Sequence, residues 1–103
     1  MTIQPNAETL SKIIAGLANF QTETDNMTFI QLIILLEIGK FPQGAPYDDI
    51  VKALNTPRSG VASTVKKYDK FVSRVMRLDR SVAFKLTPLG NELIGRFSHM
   101  LSD

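Results

Sequence analysis

The chain has no cysteine and no tryptophan, and it has a single histidine, His99. Without cysteine there is no disulfide framework, no thiolate metal ligand and no thiol nucleophile. With one histidine close to the C-terminus, no serine, histidine and carboxylate can be proposed as a triad. No catalytic residue, metal site or cofactor is therefore expected. Six glycines and five prolines are scattered through 103 residues, too sparse for a linker or a disordered tract. The longest apolar stretch, Phe29 to Ile38, is broken by Gln31 and Glu37 and is too short to cross a membrane. The opening Met1-Thr2-Ile3-Gln4-Pro5 lacks the basic-then-apolar pattern of a secretion signal, so a cytoplasmic location is expected.

What is present is enough apolar character, 44% of residues, for one core shared by a single domain over residues 1–103. The net charge of +2 hides a strong asymmetry. Residues 1–51 carry two cations against six carboxylates, whereas residues 52–85 carry nine cations against two, a local excess of +7. A basic block inside a near-neutral domain points to a polyanion-facing surface.

Apolar spacing divides the chain into elements. Asn6 can cap a first helix whose Leu10, Ile13, Ile14 and Leu17 share one face, and which fades before the polar run from Gln21. Thr28 and Gln31 have the spacing of a capping box, with Met27 able to staple onto Leu32; the nearly all-apolar helix that follows should be the central core element. Residues 39–46 contain two glycines and two prolines and read as a loop. Pro46 suits the first turn of a third helix, with Tyr47, Ile50, Val51 and Leu54 as its buried face. Asn55 can end it in the left-handed conformation, and Thr56-Pro57 supplies a cap and a first-turn proline for a fourth. The fourth helix buries Val61, Val65 and Tyr68 and is expected to end near Phe71. Two strands, 73–77 and 82–86, flank a turn at 78–81, and Thr87-Pro88 opens a last helix with Leu89, Leu93, Ile94 and Phe97 as its stripe.

The predicted fold is mainly α with a small β-hairpin wing, a winged helix-turn-helix: 46–71 form the helix-turn-helix and 73–86 the wing. The chemistry of nucleic-acid reading assigns roles. Base edges require side chains short enough to let a helix sink into the major groove, together with a bidentate donor, and Arg58, Ser59, Ala62 and Ser63 meet that need. Gly60 either permits close approach to DNA or packs on the preceding helix. Phosphates require charge or a hydroxyl, supplied by Thr56, Lys66, Lys67, Lys70, Arg74 and Arg77, while Arg80 and Lys85 lie in the wing. The adjacent Asp48 and Asp49 read as favourable acids in a helix's first turn.

These segments resemble the MarR family of bacterial regulators over about Met27 to Phe97. The resemblance rests on Met27-Thr28 opening a helix that continues Gln31-Leu32-Ile33-Ile34-Leu35-Leu36, on the helix-turn-helix from Ile50 to Lys67, and on Arg80 to Gly90. It implies that Arg80, at the wing tip, enters the minor groove, and that Leu86-Thr87 with Gly90 marks the passage from the second wing strand into the last helix. Asp79 stands directly beside Arg80, one place from the family's acidic wing residue.

The stripes Leu10, Ile13, Ile14, Leu17 and Leu93, Ile94, Phe97, Met100, Leu101 exceed what one small domain easily covers, so a two-fold homodimer through helices 6–20 and 88–102 is expected. The predicted partner is double-stranded DNA carrying a pseudo-palindromic operator, and the predicted role a regulator, most simply a repressor. No residue specifies a small-molecule effector. The competing reading is a winged helix that binds protein as an inhibitor or adaptor, because a fold does not dictate its ligand.

Overall fold

A computed structural model describes residues 6–102, with side chains as far as Met100. Leu101, expected at the dimer seam, lies outside the described side chains. Helix α1 spans Ala7–Glu23, α2 Phe29–Gly39, α3 Tyr47–Leu54, α4 Arg58–Lys67 and α5 Pro88–Ser102; the strands are β1 Ala45–Pro46, β2 Val72–Met76 and β3 Val82–Leu86.

Local chemistry starts and stops the first two helices. The Asn6 side chain accepts from the Glu8 N–H at 2.8 Å. At the other end the Thr24 hydroxyl donates to the Phe20 carbonyl at 2.8 Å and accepts from the Met27 N–H at 3.3 Å. Helix α1 thus runs past the fade expected before Gln21. Tertiary packing carries it: the Phe20 and Phe97 rings lie 5.2 Å apart, and Glu23 pairs with Arg96 at 2.9 Å. Thr28 and Gln31 form the expected capping box, and Gln31 also accepts from the Tyr68 hydroxyl at 3.2 Å. Helix α2 is the centre of the core through Leu32, Ile34, Leu35 and Ile38, all buried. Burying one such side chain fully is worth about 1.5–3 kcal/mol. Its first turn departs from the expectation, because Phe29 and Ile30 remain exposed.

The sheet has three strands in the order β1-β3-β2, all antiparallel, with Ala45 opposite Phe84, Val72 opposite Leu86 and Met76 opposite Val82. Strand β1 falls where the sequence reads as loop. Two residues carry no readable periodicity, and only the edge of β3 makes them a strand. Proline offers no N–H to a ladder, and Pro46 sits at this strand's end as the residue preceding α3.

Proline placement in the helix-turn-helix is one residue off the expectation. Pro46 and Pro57 occupy the N-cap positions of α3 and α4, and neither helix has a side-chain cap. Thr56, expected to cap α4, is half-buried beneath Gly60 instead, its hydroxyl 3.4 Å from where a Cβ on that glycine would stand. Asn55 ends α3 at φ 50°, as expected.

Helix α4 stops at Lys67, short of the expected end near Phe71, and β2 begins at Val72. Tyr68 and Phe71 both turn into the core, and the Phe71 carbonyl accepts from the Thr87 N–H at 2.9 Å, which a continuing helix would forbid. The Thr87 hydroxyl donates to the Lys70 carbonyl at 2.7 Å and accepts from the Gly90 N–H at 3.1 Å. One threonine thereby ties the α4–β2 turn to the start of α5.

Candidate nucleic-acid interface

Helix α4 presents Arg58, Ser59, Ala62, Ser63, Lys66 and Lys67 as exposed side chains, while Val61 and Thr64 are buried and Val65 is half-buried. The helical period therefore separates a small-and-basic outer face from an apolar inner one. Gly60 is half-buried near Thr56, and its carbonyl accepts from the hydroxyls of Ser63 at 3.2 Å and Thr64 at 2.8 Å. Its position above Thr56 favours packing on the preceding turn.

Arg58 is not free. Its guanidinium pairs with the Asp48 carboxylate and lies over the Tyr47 ring, 4.3 Å from the centroid. The Tyr47 hydroxyl in turn donates to the Arg58 carbonyl at 2.6 Å, and the Tyr47 ring leans on buried Phe84 of the wing at 5.2 Å. Tyr47 reads from sequence as a core residue and Asp48 as a first-turn acid. Their links to Arg58 span eleven and ten residues and join two helices, separations with no periodic signal.

The wing is ordered by its own turn. The Arg77 N–H donates to the Ser81 carbonyl and the Arg80 N–H to the Arg77 carbonyl, both at 2.9 Å. Arg80 sits at φ 68°, a conformation uncommon for a side chain with a Cβ. Asp79 braces this turn despite its position beside Arg80, accepting from the Ser81 N–H at 2.9 Å and from the Ser81 hydroxyl at 2.5 Å. These bonds from Ser81, with the charge of Arg77, hold its carboxyl below the usual value.

Not every expected cation comes to the same place. Arg74 pairs across the ladder with Phe84, so it shares the sheet face against which Tyr47 packs. There it lines a cleft of about 470 Å³ with Ala62, Val65 and Lys66. Lys85 pairs with Ser73 on the opposite sheet face. Lys70 stands at the α4–β2 turn with its ammonium 5.0 Å from the Phe71 ring, beside the start of α5. Lys67 covers the Tyr68 ring at 5.2 Å. Arg77 and Arg80 are exposed at the wing turn.

The expected dimer stripe is divided. Leu93 and Phe97 are buried within the chain itself, and Ile94 and Met100 pack against that core. Leu10, Ile14 and Leu17 stay exposed along α1, where Leu17 lines one cleft with exposed Phe29, while Ile13 is half-buried. Among the described residues no three histidine, aspartate or glutamate side chains cluster as a metal site, and no helix is long and apolar enough to cross a membrane.

No protein-family model and no curated protein matches the chain in sequence. Its backbone does match solved structures. The S. aureus MepR–DNA complex superimposes with a TM-score of 0.76 at 21% identity, over 89% of this chain and 77% of that one. A crystal structure of MarR matches with a TM-score of 0.68 at 20% identity, over 96% and 77% of the two chains. The fold is the winged helix of MarR and MepR. The apo form of wild-type MarR from E. coli agrees, with a TM-score of 0.66 at 18% identity over 96% of this chain and 78% of that one. In this winged helix α3 and α4 are the helix-turn-helix, and the β2–β3 hairpin is the wing.

Proposed function

We propose that this protein is a cytoplasmic, homodimeric transcriptional regulator that binds double-stranded DNA sequence-specifically, with α4 in the major groove and the wing tip on the minor groove. One observation carries the reading. The exposed outer face of α4 joins short side chains to Arg58, Lys66 and Lys67, and the ordered wing presents Arg77 and Arg80. A first-turn arginine suits bidentate contact with guanine, lysines farther along suit phosphates, and a tip arginine suits a narrow minor groove. The S. aureus MepR structure of the same fold is a DNA complex, which supports the reading.

The dimer forms on the exposed α1 stripe, extended by α5 residues that the chain's own core leaves half-buried. Two-fold symmetry then places two reading helices on half-sites about one helical turn apart, a pseudo-palindromic operator, and occupation of such a site near a promoter represses it.

The test is a salt titration by fluorescence anisotropy on random duplexes and on a duplex selected from a random library. Lys66→Ala and Lys67→Ala should weaken binding to all sequences and lower the salt slope by about 1 for each phosphate left without its cation. Arg58→Ala should cost about 1–3 kcal/mol on the selected site and less on random DNA. If the wild type binds no duplex better than about 10⁻⁴ M at low salt, the reading fails and a protein-binding winged helix takes its place.

A further inference from the structure

The arginine at the head of the reading helix is engaged before any nucleic acid arrives. Its guanidinium rests on the Tyr47 ring, and one of its terminal nitrogens, Nη1, meets the Asp48 carboxylate. Tyr47 is itself fixed, by its hydroxyl on the Arg58 carbonyl and its ring on Phe84. Asp48 and Arg58 are both largely exposed, with 66% and 61% of the side chain accessible, so folding does not require the pair. A carboxylate on a DNA-facing surface opposes phosphate, and its presence there asks for a reason.

We propose that Asp48 is a specificity-determining residue that makes Arg58 selective for base edges over phosphates. The inference rests on the DNA-binding reading above. The ion pair is neutral, so the pair as a whole adds no net charge to the sequence-independent attraction that dominates non-specific binding. A phosphate that approaches the guanidinium must displace the carboxylate or lie beside it, and like charges at close range repel. A guanine edge makes no such demand. It offers two neutral acceptors, O6 and N7, and the guanidinium keeps its Nε and Nη2 donors for them while Nη1 stays on Asp48. Tyr47 and Asp48 also hold the fork in one orientation, which lowers the entropic cost of engaging a correctly placed guanine. Asp49, the next carboxylate in sequence, lines a cleft together with Tyr47, Asp48 and Arg58 but makes no ion pair among the described residues.

The experiment measures the ratio of affinities for the selected and random duplexes in wild type, Asp48→Asn, Asp49→Asn, Arg58→Ala and the Asp48→Asn/Arg58→Ala double variant. Circular dichroism checks that each is folded. Both aspartate substitutions change the charge equally and should strengthen binding to all DNA. Only Asp48→Asn should lower the selected-to-random ratio, by about tenfold, the order of one oriented arginine–guanine pair. In the Arg58→Ala background the same substitution should leave the ratio unchanged within twofold. An Asp48→Asn ratio equal to that of Asp49→Asn, or a shift that persists without Arg58, would overturn the proposal while leaving DNA binding intact. A wild type that binds all duplexes alike also overturns it, and one that binds none overturns the DNA reading with it.

Discussion

Gly90 offers the sharpest test of how the helix-turn-helix is joined to α5. It is buried in the first turn of α5, and a Cβ added there would stand 2.1 Å from the Phe71 carbonyl oxygen, 3.0 Å from its carbon and 3.2 Å from its Cα. All three are backbone atoms, so no rotamer relieves the clash. A carbon and an oxygen settle at roughly 3.3 Å, and Gly90→Ala must therefore push α5 back by about 1 Å. That movement stretches the Thr87 N–H bond to Phe71, 2.9 Å, and the Thr87 hydroxyl bond to Lys70, 2.7 Å. Each is worth about 1 kcal/mol. It also loosens Leu93 and Phe97 in the core, where overpacking costs about 1–3 kcal/mol. The better helix propensity of alanine offsets about 1 kcal/mol. The net expectation is a loss of about 2–4 kcal/mol, or a melting temperature lower by roughly 10–25 °C for a domain of this size. Gly95 in the same helix is the control, because an added Cβ there meets nothing within 4 Å. Gly95→Ala should raise stability by about 0.5–1 kcal/mol. Thermal and urea unfolding followed by circular dichroism decide the matter. A Gly90→Ala variant that melts with the wild type, or two glycines that respond alike, would refute the close approach of α5 to Phe71.

Three further outcomes are expected. Because Asp79 is held below the usual carboxylate value by Ser81 and Arg77, its brace on the wing turn should persist down to about pH 4 and be lost only as pH falls through its lower folded value; a Ser81 amide resonance that titrates with a midpoint at or above about 4 contradicts this. Ile14 is 66% exposed on α1, so Ile14→Glu should leave the melting temperature within a few degrees while halving the mass seen by light scattering at tens of micromolar; a wild type that is already monomeric there defeats the dimer. Arg80 occupies φ 68°, so Arg80→Gly should keep or slightly raise stability yet weaken binding chiefly to A·T-rich flanks; equal losses on G·C-rich flanks would remove Arg80 from the minor groove.

The winged-helix plan was legible because its signals are local. Asn6, Thr28 with Gln31, Asn55 and Thr87 each cap, end or open a helix through bonds to residues a few places away, and apolar periodicity selects the faces of α3 and α5. The clustering of cations between Lys52 and Lys85 is likewise a property of sequence order alone. Where those signals stopped, the errors followed. Strand β1 is two residues long and owes its form to the edge of β3, and α1 outlasts its own amphipathic pattern because Phe97 and Arg96 hold its last turn. Val72 and Val75 continue the helical spacing of Val61 and Val65, which carries the expected end of α4 to Phe71, past the observed Lys67; the Thr87 bond to Phe71, between segments far apart in sequence, decides for the strand. The candidate site divides in the same way. Which residues are small or basic on α4 follows from the 3.6-residue period. That Arg58 rests on Tyr47 and Asp48, that Lys85 lies across the sheet from Arg74, and that Leu93 and Phe97 are taken up by the chain's own core depend on how helices and strands cross. Side-chain type and period are written residue by residue, whereas the angle at which two elements meet is set by the packing of the whole core.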